Sequence, residues 1–78
     1  PNPFNPALKI GYSTKIDGKI NISVFNIRGK FIETIYSNEI FSGSHELIWE
    51  PKALPTGVYL IKFESAKEVH YRQVIYLK

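Results

Sequence analysis

The 78 residues predict an all-β fold, an antiparallel β-sandwich of six or seven short strands. Two observations carry that expectation. Apolar and polar residues alternate with a period of two in several short runs, and turn signals built from Gly, Pro, Asn or Asp return about every 8–12 residues, the spacing of a sandwich. No window shows an amphipathic period of 3.6 long enough for a helix.

The chain opens with Pro1-Asn2-Pro3-Phe4-Asn5-Pro6, which is excluded from helix because each proline lacks an amide proton and pushes its predecessor toward extended geometry. It reads as a stiff, extended lead-in. Leu8, Ile10 and Tyr12 then alternate with Lys9 and Gly11 as a strand with one wet face, and Lys15-Ile16-Asp17-Gly18 supplies an Asp-Gly turn into a first hairpin. Ile20, Ile22 and Val24, alternating with Asn21 and Ser23 and followed by Phe25, give the cleanest strand pattern in the chain.

Asn26-Ile27-Arg28-Gly29 closes that strand with an Asn suited to start a turn and a Gly free to take positive φ, so Lys30 to Tyr36 returns as a second hairpin. Phe31, Ile32, Ile35 and Tyr36 break strict alternation, which predicts a bulge. Ser37-Asn38-Glu39 reads as a polar break, and Ser42-Gly43-Ser44 as a turn before β composition resumes from His45 to Trp49. Pro51 and Pro55 force a loop. Val58 to Glu64 then places Tyr59, Ile61 and Phe63 on one face and predicts a central strand, with Gly57 easing the turn into it. A turn around Ser65-Ala66-Lys67-Glu68 leads to the last run, Val69 to Lys78, whose apolar residues on both faces suit a strand covered on both sides.

Bulk properties bound the rest. A chain this short buries only about 60% of its unfolded surface, so it holds a single domain, residues 1–78 with the lead-in at 1–6. Its 44% hydrophobic and 14% aromatic content is enough for a core. There is no cysteine, so an oxidising compartment leaves it unchanged. The formal charge of +3 is spread along the chain with no Lys or Arg run, which excludes nucleic acid as the expected partner. No stretch approaches the roughly 20 apolar residues that cross a bilayer as a helix. A chain that starts at Pro1 without Met reads as a piece of a longer polypeptide, whose upstream region carries any export signal and any activity.

Nothing in the pattern calls for catalysis or a cofactor. His45 and His70 lack the spacing of metal ligands, and Glu46 and Glu50 read as solvated strand residues rather than a glycosidase pair. No nucleophile elbow, phosphate-cradling loop or cysteine nucleophile is present. Trp49 with Tyr12, Tyr36, Tyr59, Tyr71 and Tyr76 offers a sugar-binding platform as one reading. The favoured reading is core packing, with the Trp49 indole N–H reaching a loop carbonyl and Tyr59 and Phe63 beside it.

Taken together, Pro1-Asn2-Pro3-Phe4-Asn5-Pro6, Asn26-Ile27-Arg28-Gly29, Gly43-Ser44-His45 with Trp49, Leu54-Pro55-Thr56-Gly57-Val58-Tyr59 and the closing Arg72-Gln73-Val74-Ile75-Tyr76-Leu77-Lys78 resemble the C-terminal sorting domains of the type IX secretion system. The order and spacing match from end to end. Three positions depart from the family pattern: Asn26 and Glu50 where Asp is common, and Gln73 in place of a late Lys.

The resemblance implies an immunoglobulin-like, non-catalytic module at the end of a secreted enzyme or adhesin. Its partners are then an upstream cargo domain on the same chain, an outer-membrane secretion translocon, and a sortase-like protease that removes it. The cargo travels through periplasm and outer membrane to the cell surface or the medium. The expected recognition surface is the final strand at a sheet edge, where Val74, Ile75, Tyr76 and Leu77 supply alternate apolar contacts and Arg72 and Lys78 orient the encounter by charge. Two alternatives share the fold class: an adhesion module for a carbohydrate or cell-surface ligand, and a structural module like that of flagellar hook-capping proteins.

Overall fold

The computed structural model describes residues 7–78; the Pro/Asn lead-in, with Pro1, Asn2, Pro3 and Phe4, lies outside the described residues. Six strands follow in chain order: β1 (Leu8–Thr14), β2 (Gly18–Asn26), β3 (Phe31–Ile40), β4 (Gly43–Trp49), β5 (Gly57–Glu64) and β6 (Val69–Tyr76). All pairing is antiparallel, in a four-stranded sheet of order β3-β2-β5-β6 and a two-stranded sheet of β1 and β4. There is no helix among the described residues, and the all-β sandwich expected from the sequence stands.

The core lies between the sheets and is built by strand parity. Ile20, Ile22 and Val24 of β2, Tyr59, Ile61 and Phe63 of β5, and Val74 and Tyr76 of β6 face Leu8 and Ile10 of β1 and Trp49 of β4. Ile10, Ile22, Val24 and Ile61 are wholly removed from water, and a fully buried aliphatic side chain of this kind contributes about 1.5–3 kcal/mol. The predicted inward face of β5 and its central position are both found.

Side-chain bonds fasten one sheet to the other on both flanks. Trp49 Nε1 donates to Glu33 Oε2 at 3.0 Å, joining β4 to β3, and Arg72 Nη2 donates to the Gly11 carbonyl at 3.2 Å, joining β6 to β1. The indole thus reaches a carboxylate on a strand, not the loop carbonyl expected. A charged acceptor is the stronger partner for a donor in a part-buried setting.

Four sequence expectations are corrected. Lys15-Ile16-Asp17 does not close a hairpin, because β1 pairs with β4 and this segment crosses between sheets. Pairing with β4 sets Leu8 opposite Trp49 and Ile10 opposite Leu47, which buries both β1 residues over the larger sheet. Asp17 accepts the Ser42 amide at 2.7 Å, tying this crossing to the β3–β4 turn. Ser37-Asn38-Glu39 is not a break. The three residues pair with Asn21, Ile20 and Lys19, and on an edge strand water satisfies their polar groups.

The last run ends as a strand at Tyr76, at the edge of the sheet among the described strands, and its outward face is not covered throughout: Val69 and Tyr71 stand 48% and 61% exposed. Gly57 does not take a positive φ, and a Cβ there would meet only Tyr59 Cε2 at 4.0 Å, so its backbone does not require glycine. Gly29 and Gly43, with φ of 84° and 123°, do.

Candidate functional site on the last strand of the larger sheet

The larger sheet ends in two edges of different character. β6 pairs with β5 in unbroken register from Glu64 opposite Val69 to Gly57 opposite Tyr76. No described strand covers its other side. At the opposite edge the β3 register against β2 slips twice, once past Ile35 and once past Ile32. The single bulge expected in this strand is therefore two. Each bulge bends and twists the strand, which spoils it as a template for further pairing.

Period-two geometry divides the β6 side chains between core and solvent. Val74 and Tyr76 point inward, 2% and 7% exposed, so their side chains are committed to the core. Arg72 lies on the same inward row near its open end, its guanidinium 4.9 Å from the Phe63 ring centroid and bonded to Gly11. Ile75 is half-buried on the outward face, while Leu77 and Lys78 are exposed beyond the strand. The Lys78 amide donates to Thr56 Oγ1 at 2.9 Å, which fixes the path of the chain past β6.

Of the six residues proposed from the sequence, Ile75, Leu77 and Lys78 present side chains outward, and Val74 and Tyr76 do not. Val69 and Tyr71 were missed. Apolar residues on both parities of this run hid which set faces out. The signal that finds them is the inward row of β5: Tyr59 opposite Val74 fixes the parity of β6, leaving Val69, Tyr71, Gln73 and Ile75 outward.

The remaining motif residues hold the frame. Asn26 Oδ1 accepts the amides of Arg28 and Lys30, each at 2.9 Å, and the Asn26 carbonyl accepts from Gly29 at 2.9 Å. An aspartate would make the same bonds through a carboxylate oxygen, so the departure to Asn leaves the turn's geometry intact. Tyr59 Oη donates to the Pro55 carbonyl at 2.7 Å, fastening the loop before β5 to the start of that strand. Val58 is half-buried on the outward row, opposite Ile75. Burial raises the phenol pKa of Tyr59, with Tyr76 adding to it, and burial with Tyr36 does the same for Tyr12.

The residues considered for other chemistry scatter. Trp49, Tyr59 and Tyr76 are buried in the core, and Tyr12 and Tyr36 are half-buried. The aromatics therefore do not form the flat array that a sugar ring needs. His45 bonds the Phe41 carbonyl at 2.6 Å and stacks on Tyr12, while His70 pairs with Glu68, whose carboxyl it holds below its ordinary pKa. Among the described residues no three His, Cys, Asp or Glu side chains converge as metal ligands. Glu46 and Glu50 are exposed.

A family model described as the secretion system C-terminal sorting domain matches residues 1–77. The chain belongs to that family. Its members are type IX sorting signals, in general non-catalytic, and membership implies export to the cell surface or the medium. No curated protein and no solved structure matches the chain. Within this sorting domain, Asn26, Gly29, Trp49 and Tyr59 have structural tasks that the geometry explains, and β6 is the most regular outer strand of the larger sheet among the described residues.

Proposed function

We propose that the chain directs an upstream cargo from the periplasm through an outer-membrane translocon, which reads the outward side chains of β6 and the residues after it, and that a sortase-like protease then removes the domain. Family membership supports the role of sorting signal. The observation that supports the place of recognition is the asymmetry of the edges: an unbroken eight-residue strand on one side, a twice-bulged one on the other. Alternate side chains along a regular strand give a partner its specificity. Here those side chains are Tyr71, Gln73 and Ile75, followed by Leu77. Lys78 orients the encounter by charge more than it tightens it. Arg72 keeps the edge in place by holding β6 against β1.

The test fuses residues 1–78 to the C-terminus of a periplasmic reporter in a bacterium with type IX machinery, with and without a working translocon. Translocon-dependent appearance of the reporter at the surface or in the medium is the expected result. Periplasmic retention of a folded fusion, in a host that exports its own sorting domains from the same vector, overturns the proposal in favour of an adhesion module.

A further inference from the structure

The β2–β3 turn carries side chains that its fold does not need. Its backbone is set by Asn26, whose side chain and carbonyl hold Arg28, Gly29 and Lys30, and by the positive φ of Gly29. Position 27 makes none of these bonds, yet it holds an isoleucine 71% exposed, where a polar residue would serve the turn equally well. Phe31, at the foot of the same turn, is 53% exposed. It meets Phe25 edge to face at a centroid distance of 5.9 Å, and Phe25 lies opposite Leu60, so an apolar row runs from the turn inward over the outer face of the larger sheet.

At the turn itself the charges around this row have one sign. Arg28 and Lys30 flank Ile27 and are exposed, while Lys62, further along the row, lies over the Phe25 ring 5.9 Å from its centroid and pairs with Glu64 at 3.5 Å. The nearest acid along β3, Glu33, turns into the molecule to bond Trp49. Glu50, at the same end, shares a shallow recess with Lys52. The opposite end of the sandwich also shows bare apolar residues, Ile16 and Phe41 at 52% and 79%, but Asp17, Glu39 and Glu68 stand there against Lys15, Lys19 and Lys67. Exposed hydrophobes alone therefore do not separate the two ends; charge does.

We propose that the Asn26–Phe31 turn is a docking foot for an anionic bilayer surface, with Ile27 and Phe31 entering the interface and Arg28 and Lys30 meeting lipid phosphates. A rigid turn loses little conformational freedom on docking, and an apolar tip between cations matches a surface that is apolar below and negative above. The inference stands apart from the reading of β6, since a chain whose β6 is ignored by any translocon would still bind lipid through this turn.

The experiment floats the 78-residue protein with vesicles made of equal parts phosphatidylcholine and phosphatidylglycerol, and separately of phosphatidylcholine alone. Flotation with the anionic vesicles and its loss in high salt are expected. Arg28→Gln with Lys30→Gln should weaken binding about thirtyfold, since each cation near a negative surface is worth about a factor of five. Ile27→Ser with Phe31→Ser should weaken it about tenfold or more. Phe41→Ser should change nothing. None of these substitutions touches Asn26 or Gly29, and an unchanged thermal unfolding curve checks that each variant folds. Equal binding to neutral vesicles, no binding to either, or equal loss with Phe41→Ser overturns the proposal. So does turn-dependent binding that appears only when outer-membrane protein is added, which assigns the turn to a protein partner.

Discussion

The β3 and β6 edges of the larger sheet flank the same core and differ in nearly every device that governs an edge. β3 is irregular: Ile32 and Ile35 are extra residues, Glu33 is drawn inward to Trp49, and Ser37, Asn38 and Glu39 make its far half polar. β6 is regular along its whole length and puts Tyr71, Gln73 and Ile75 on its outer face. Open strands invite pairing, and bulges and charges are how proteins discourage it. The molecule spends those devices on β3 and keeps β6 regular, so the difference teaches which strand presents an ordered row of side chains.

The sharpest way to break this comparison is to protect β6 as β3 is protected. Ile75→Lys with Leu77→Lys alters no buried core residue and should lower export of the reporter fusion by more than tenfold. Thr34→Lys with Ser37→Lys on β3 should leave export within about twofold, as expected for exposed positions away from an interface. Equal loss from both pairs would show that the translocon does not distinguish the edges.

The next largest effect concerns what holds β3 in place. Trp49→Ala removes a buried indole and its bond to Glu33, and should cost about 3–5 kcal/mol in denaturant unfolding, a large share of the stability of so small a protein. Export should fail with it because the fold fails, whereas the β6 lysine pair should block export with its unfolding midpoint nearly unchanged. That contrast separates a damaged frame from a damaged signal.

How far the sequence reaches follows the same division. β2 and β5 were legible because each is central and buried on one parity, so Ile20, Ile22 and Val24, or Tyr59, Ile61 and Phe63, announce themselves. The Asn26 turn was legible because its bonds are local. What stayed hidden was non-local. The partner of β1 depends on Trp49, far along the chain, and an Asp-Gly pair looks the same in a hairpin as in a crossing between sheets. The parity of β6 was hidden because an edge strand of a thin sandwich carries apolar residues outward as well. The partner of the Trp49 indole needed the inward turn of Glu33, which comes from a bulge whose exact place the residue pattern left open.

A smaller effect compares the two fastenings between sheets. Glu33→Ala takes a charged acceptor from a part-buried indole and should cost about 1.5 kcal/mol. Arg72→Ala gives up a longer, exposed bond and its contact with the Phe63 face, and should cost about 1 kcal/mol or less. Hydrogen exchange should then report faster opening of β6 in the Arg72 variant and of β3 in the Glu33 variant. If both variants loosen the same strand, the fastenings are not separate.

The smallest effect lies at alkaline pH and reaches both flanks through tyrosines. Tyr12 packs toward the β3 side, where Tyr36 adds to the rise in its pKa, and Tyr59 lies under β6 with Tyr76. Both phenols titrate above the ordinary value of about 10, so the folded protein keeps protons that the unfolded chain has released. The stabilisation that follows is complete below about pH 10 and is lost as pH rises through the folded pKa. Stability should therefore be flat with respect to these groups at neutral pH and fall beyond pH 10. Tyr59→Phe also loses the bond to Pro55 and confuses the comparison. Tyr12→Phe is cleaner: it should change stability at pH 7 by about 0.5 kcal/mol or less and make the alkaline slope shallower. An unchanged slope in that variant would place the alkaline loss from these two phenols on the β6 side, under the strand that the translocon is proposed to read.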